Sequence, residues 1–419
     1  MSEQADARDY SKHSAAVILR GRRVALIRSA PVAHDKRTQQ IGRLLSKAGA
    51  RVTIVVVGAA NQVNSGQDFE LIQVPVLPAS THPVWAFRVV SNVIRNRIRR
   101  HALRRSIVRI QTTMQAGADI LHCMNLDTLL TGMLAARGRP VIYDSREHFA
   151  TTGDVPRLTR LRWKFVERVL IRRAAAVITV SEPIADDLAS RYSIAKPTVI
   201  YNGCTECVNQ ASPVHNPLRL LHLGKYFYDR NLDELVRAVA ALSGRVELTL
   251  QGWGDAEHAL RGQVADLGAG HLVRFVPPCA PEDVARSAQD QDVGVINFKS
   301  QNDSFRWSAP NKLFDYMGSG LCVLAPDLPV MKGIVESSDC GMVFPSGSEQ
   351  GLLEAISYLA SHPEEVARFK HNAVVAAQRY SWDSQAETLY AAYAAALSRG
   401  KPSASRGRVS SDLERSGRS

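Results

Sequence analysis

A chain of 419 residues that is 45% hydrophobic and carries a formal net charge of +12 is long enough to bury two or three cores and too apolar to be a disordered polyelectrolyte. Its charge calls for an anionic partner such as nucleic acid, an anionic membrane face or a phosphorylated substrate, and says nothing about fold. The opening MSEQADARDYSKHS holds no apolar signal-peptide core, and no run reaches the roughly 18 apolar residues of a spanning helix. The expectation is a cytoplasmic protein.

Residues 1–14 are polar, have no hydrophobic period and are read as disordered. From there β-rich runs alternate with helical patterns. RRVALIRSA, TQQIGRLLSKAGA and RVTIVVVGA come first, followed later by ADILHC, PVIYDS and AAVITVS. Continuous apolar strands separated by amphipathic helices predict a parallel sheet covered on both faces. After Tyr201–Gly203 the rhythm restarts with LRLLHLG, RVELTLQG, LVRFVPP, DVGVINF, LCVLAP and GMVFP as strands. The predicted fold class is therefore α/β, with two Rossmann-like doubly wound parallel-sheet domains. Residues 15–200 form the first and 201–398 the second, and the last helix is free to pack back on the first. Residues 399–419 are read as a disordered basic tail.

Within the first domain, residues 84–110 concentrate arginine without a single acid. Phe87, Val90, Ile94 and Ile98 recur at helical spacing, which by itself predicts a core-facing helix. The arginine excess adds an expectation of peripheral attachment to an anionic membrane, where each nearby basic side chain contributes about 1 kcal/mol. Six cysteines are present, and only Cys204 and Cys207 lie close, in CTEC. With no second pair, no metal site is expected.

Ligands of open parallel sheets bind beyond the carboxyl ends of the strands. The first such loop, SAPVAHDKRTQQ, lacks the G-x-G-x-x-G of a dinucleotide site. Three loops of the second domain share one edge: LGKYFYDRNLDEL, QGWGDAEH and SAPNKLFDYM. In the last of these Ser308 is expected to cap a helix and Pro310 to sit in its first turn, which leaves backbone N–H groups facing outward as an anion site. Asn311 and Asp315 share a helix face, and Asp315 is placed to accept two ribose hydroxyls. Gly224 allows close backbone approach, and Lys225 and Arg230 add cations. Lys312 either touches a phosphate or pairs with Asp315. Gly252 and Gly254 fit a phosphate-facing loop or a plain tight turn. In the first domain His122 ends a strand, either to contact a transferring sugar or as a satisfied strand-end histidine, Arg37 follows the first strand, and Asp144 and Glu147 follow another or cap the helix after them.

These segments resemble the GT-B glycosyltransferases, specifically glycosyltransferase family 4. PNKLFDYMGSGLCVLAP, LGKYFYDRNLDELVRA, QGWGDAEHAL and RFVPPCAPEDVARSAQDQDVGVI match its C-terminal half in order and spacing. YDSREHF, VITVSEPIADDLASRY, VIYNG and the first βα unit match more loosely, so that roughly residues 21–398 are covered. The resemblance implies a central cleft, a nucleoside-diphosphate sugar on the second domain, a saccharide or lipid-linked acceptor on the first, and metal-independent transfer with retention, without a cofactor. Gly224 and Arg230 match the family's phosphate loop, and Asp315 matches the second acid of its E-x7-E pattern. Trp307 stands where the first acid belongs, with Asp303 nearby, and Met124 stands where many members have a histidine. On this reading Arg230, Lys225 and His122 are catalytic candidates, and Arg37, Asp144 and Glu147 are acceptor-side candidates. The rival classes are a sugar-nucleotide epimerase on the same fold and a basic nucleic-acid-binding protein. The second is disfavoured because the basic residues are not interleaved with stacking aromatics.

Overall fold

The computed structural model describes residues 15–29, 35–57, 69–74, 117–146, 157–280, 282–298 and 303–399. Both chain ends, the 84–110 segment and Glu147 lie outside the described residues. The first sheet runs β3-β2-β1-β4-β5-β6-β7, with β1 at Arg23–Arg28, β2 at Arg51–Val57, β3 at Glu70–Val74, β4 at Ile120–Met124, β5 at Val141–Ser145, β6 at Ala176–Thr179 and β7 at Thr198–Val199. The second runs β10-β9-β8-β11-β12-β13, with β8 at Leu218–Lys225, β9 at Val246–Trp253, β10 at Val273–Val276, β11 at Val293–Val295, β12 at Cys322–Pro326 and β13 at Gly341–Phe344. Every pairing is parallel. Two doubly wound Rossmann-like domains of the GT-B type follow.

Side chains alternate across each strand, so one strand feeds two cores. In β1, Val24 and Leu26 enter one core while Ala25 and Ile27 enter the other. Leu218 and Leu220 of β8 do the same against Leu221 and Leu223. Burial on both faces explains why the strands read as unbroken apolar runs.

In each sheet the strand order reverses direction once, between β1 and β4 and between β8 and β11. A doubly wound sheet opens a crevice at that point, because the helices on either side leave in opposite directions. The C-terminal helix Ala386–Arg399 leaves the second domain and buries Leu389, Tyr390, Tyr393 and Ala396 in the core that holds Val24 and Leu26.

Candidate active site

Beside the second sheet's switch point, the carboxyl ends of β8 and β9 approach closely. A Cβ on Gly252 would lie 1.8 Å from the Gly224 carbonyl oxygen, and one on Gly254 would lie 2.4 Å from that of Tyr226. These two glycines let the loops pack together. Gly224 has φ +113°, which a side chain would strain. The chain then makes a short turn at Tyr228–Arg230 and enters helix Leu232–Ala241 through Asn231, whose carbonyl accepts from Asn297 Nδ2 at 2.9 Å. The Arg230 guanidinium sits over the rings of Phe298 and Phe305 at 5.3 and 5.6 Å, and the Lys225 ammonium over Phe227 and Trp253 at 5.3 and 5.8 Å. Aromatic faces hold both cations in place, and Arg230 Nε also lies 3.5 Å from Asp229 Oδ1 in a partly exposed pair.

Helix Asn311–Gly318 faces this loop, and its start differs from the expectation. Pro310 is the N-cap residue itself, in extended conformation, and no side chain caps the helix. Ser308 donates instead to the Phe305 carbonyl at 2.8 Å. Proline cannot donate and fixes the entry angle, so the mouth keeps free amides without a hydroxyl among them. Tyr316 pins the assembly: its hydroxyl accepts from Leu223 N at 3.0 Å and donates to the Val295 carbonyl at 3.1 Å. Gly294 leaves room for that ring, since a Cβ there would lie 2.1 Å from it.

Lys312 does not pair with Asp315. It is half-buried with Nζ 3.4 Å from His222 Nε2, and burial, then the charge of Arg230, draw its pKa down to about 7. Asp315 is bound from across the cleft by Lys36, at the start of the first domain's helix Lys36–Lys47. A cavity of about 380 Å3 is lined by Gly224, Lys225, Arg230, Pro310, Asn311, Lys312 and Asp315, joined by Trp253 and Phe298. Gly252, Gly254 and Ser308 lie behind its wall.

The first domain's candidates are arranged otherwise. Arg37, His122 and Asp144 are each 0% exposed, and each is held by partners inside the domain. Arg37 grips both carboxylate oxygens of Asp144 at 2.7 and 3.0 Å and donates to the Ile200 carbonyl at 2.8 Å. His122 Nδ1 lies 2.6 Å from the Tyr393 hydroxyl and Nε2 lies 3.6 Å from Asp144. Burial raises the Asp144 pKa, but the charge and hydrogen bonds of Arg37 outweigh it and hold the carboxyl well below its usual range. Burial keeps His122 neutral by lowering its pKa. A buried arginine needs such a partner, and Asp144 is consumed in supplying it.

Sequence reasoning missed the neighbours of Arg37. Asp35 caps the same helix and, although burial opposes it, Arg146 and Arg28 hold its pKa down to about 2. Asp-Lys-Arg at a helix start was the available signal. One residue clamps arginines, the next crosses the cleft and the third ties down the domain junction. Trp307 packs against cores of both domains, and its carbonyl accepts from Ser181 Oγ at 2.8 Å. Asp303 opens the short helix Asp303–Arg306, but its side chain lies outside the described residues. Cys204 and Cys207 both donate to the Ala377 carbonyl. Among the described residues no group of three or more His, Cys, Asp or Glu could hold a metal ion.

Comparison with known proteins fits this geometry. Residues 36–205 match the model of Glycosyltransferase Family 4, and residues 217–362 that of Glycosyl transferases group 1. The amylovoran biosynthesis glycosyltransferase AmsK of Erwinia amylovora is 24% identical over 156 residues, 36% of this chain and 38% of that protein. The D-inositol 3-phosphate glycosyltransferase of Gordonia bronchialis is 27% identical over 146 residues, 34% of this chain and 30% of that protein. The matches thus span well under half the length of these relatives. Among solved structures, sucrose-phosphate synthase of Thermosynechococcus elongatus has a TM-score of 0.71 at 16% identity, covering 90% of this chain and 100% of the other. HepE of Anabaena, in complex with UDP, has a TM-score of 0.65 at 17% identity over the same shares. At these identities the likeness is one of fold.

Proposed function

Because the chain is a GT-B glycosyltransferase resembling family 4, we propose that it moves a hexosyl or N-acetylhexosaminyl group from a nucleoside-diphosphate sugar to a saccharide or lipid-linked acceptor, with retention at the anomeric carbon. The observation that carries this reading is the cavity where Arg230, Lys225, an uncapped helix mouth and Asp315 converge. Two cations and free amides match a diphosphate, and a carboxylate one turn further on matches a pair of ribose hydroxyls. HepE, which shares the fold, was solved with UDP and with UDP-glucose, and a uridine donor is the first to test here.

In the reaction the bond from the anomeric carbon to the diphosphate oxygen breaks, and a bond to the acceptor oxygen forms on the same face. The acceptor proton passes to the departing diphosphate oxygen. Arg230, Lys225 and the amides at Asn311 and Lys312 stabilise the charge that grows on the leaving group, which is the dominant requirement of such a step. These fixed positive groups do the work that a metal ion would otherwise do, and we assign no metal or cofactor. Lys36 must release Asp315 as the ribose arrives, so donor entry and the cleft contact are linked. The setting we assign is cell-surface glycan or glycolipid assembly at the cytoplasmic face of a membrane, with residues 84–110 as one basic attachment segment.

The test is a thermal-shift screen against nucleoside diphosphates and their sugars, in which a ligand at a hundred times its Kd adds about 2.7 kcal/mol. The expected result is one stabilising nucleotide, released from its sugar only when acceptor is supplied. Stabilisation by none of them rejects the donor site, and release without acceptor rejects transfer.

A further inference from the structure

Helix Arg157–Ile171 follows β5 and turns Trp163, Leu170 and Ile171 into the core of the first domain. Its opposite face carries Leu158, Leu161 and Phe165, which are 61%, 64% and 68% exposed. At 3.6 residues per turn these three fall within an arc of about 60°. They form a stripe, not scattered apolar residues, and a stripe on one helix face calls for an apolar neighbour. Arg162 flanks it on one side and Arg168 on the other, both exposed. The helix holds five Arg or Lys and one acid, Glu167. That acid is turned inward, where it accepts from the Tyr143 and Tyr192 hydroxyls at 2.7 Å each. The outward face is therefore apolar along its centre and purely cationic at its edges.

We propose that this face of helix Arg157–Ile171 docks on an anionic lipid bilayer. Leucine and phenylalanine along the centre with arginine at the margins is the pattern of a helix lying in a membrane interface, where rings and aliphatic chains enter the acyl boundary and guanidinium groups meet lipid phosphates. A second copy of this chain is a poorer occupant, since two molecules of net charge +12 repel and their stripes would bring arginine edges together. In a parallel β-α-β unit the helix begins on the side of the preceding strand's carboxyl edge, here the edge of β5 that faces the cleft. Leu158 and Leu161, in its first turns, thus place the bilayer beside the cleft rim. The docking stands apart from the reading of the reaction and holds whatever the acceptor is.

The experiment sediments the full chain with vesicles of phosphatidylglycerol and phosphatidylcholine, and with phosphatidylcholine alone. Wild type is expected to bind the anionic vesicles. Leu158→Ser/Leu161→Ser/Phe165→Ser leaves charge unchanged, and with it the contribution of the basic 84–110 segment and tail, yet is expected to weaken partitioning by about tenfold or more. Arg162→Gln/Arg168→Gln is expected to shrink the preference for the anionic composition. Thermal melting of each variant checks that it is folded. A folded triple variant that sediments like wild type overturns the proposal, as does wild type that binds neither vesicle. A dimer seen by analytical ultracentrifugation that the triple variant loses, with vesicle binding unchanged, assigns the face to a second copy and also overturns it.

Discussion

At the switch point of the second sheet, Arg230 and Lys225 rest on aromatic rings beside an open cavity. At that of the first, Arg37 and His122 are fully buried, one against Asp144 and the other against Tyr393. The residue types and positions are alike. What differs is exposure. Arg230 has Asp229 Oδ1 3.5 Å from its Nε in a partly exposed pair beside the cavity, whereas Asp144 holds Arg37 in a fully buried one, and only the exposed arrangement is open to a ligand. Position at a strand's carboxyl end is thus a necessary sign of a site and not a sufficient one.

The contrast is most severely tested by Arg37→Met. It leaves Asp144 buried without its partner and is expected to cost about 3–5 kcal/mol of stability in thermal or denaturant unfolding. An unchanged melting temperature together with a raised acceptor KM would return Arg37 to the acceptor site. Arg230→Ala is expected to leave the fold intact while lowering turnover roughly a hundredfold, with a smaller loss of nucleotide affinity, because the charge it meets grows as the diphosphate departs. Equal losses in both quantities would make it a ground-state anchor.

Asp315→Asn keeps the shape and weakens acceptance of the ribose hydroxyls, for a loss of about 1–3 kcal/mol in nucleotide binding by calorimetry. Lys36→Met should move the same quantity the other way, since it removes the competitor for that carboxylate. Weaker nucleotide binding in Lys36→Met would make Lys36 a ligand contact instead of a latch.

The last effect is one of pH. In the folded chain Lys312 titrates at about 7, against about 10.4 for an unfolded lysine. Between those values the unfolded state binds a proton that the folded state does not, so this residue makes stability rise as pH climbs from about 7 toward 10. A bound diphosphate favours the charged amine, so binding takes up a proton in that window and affinity falls as pH rises, by at most about tenfold per unit. Calorimetry in two buffers of different ionisation enthalpy reads the proton directly, and Lys312→Met should abolish the uptake.

The strands were legible because burial on both faces writes them as unbroken apolar runs, and the helix mouth was legible because Pro310, Asn311 and Asp315 lie within one short segment. Arg37, His122 and Asp144 were singled out, but not their burial. Their burial depends on Ile200 and Tyr393, which lie far along the chain and carry no local mark. Lys36 was passed over for the same reason, because its partner is Asp315, 279 residues away. Ser308 misled because a serine before a helix usually caps it, and here Pro310 takes the position. The apolar stripe of Arg157–Ile171 has a helical period like any core helix, and only knowing which face the sheet already covers reveals that a second face is left over.

The chain crosses between domains twice, and the two crossings are bonded to each other. Cys204 N donates to the Tyr380 carbonyl at 3.2 Å, Trp382 N to the Cys204 carbonyl at 3.3 Å, and Tyr201 N to Gln385 Oε1 at 2.6 Å. A Cβ on Gly203 would lie 2.5 Å from the Tyr380 carbonyl oxygen, so the strands run in direct contact. Beyond them, the Tyr390 hydroxyl donates to the Leu44 carbonyl at 2.8 Å. No single cut therefore yields two modules. A chimera that replaces everything before residue 200 also mates a foreign sheet with this protein's Leu389, Tyr390 and Tyr393. Exchange of the first domain must carry the last helix with it.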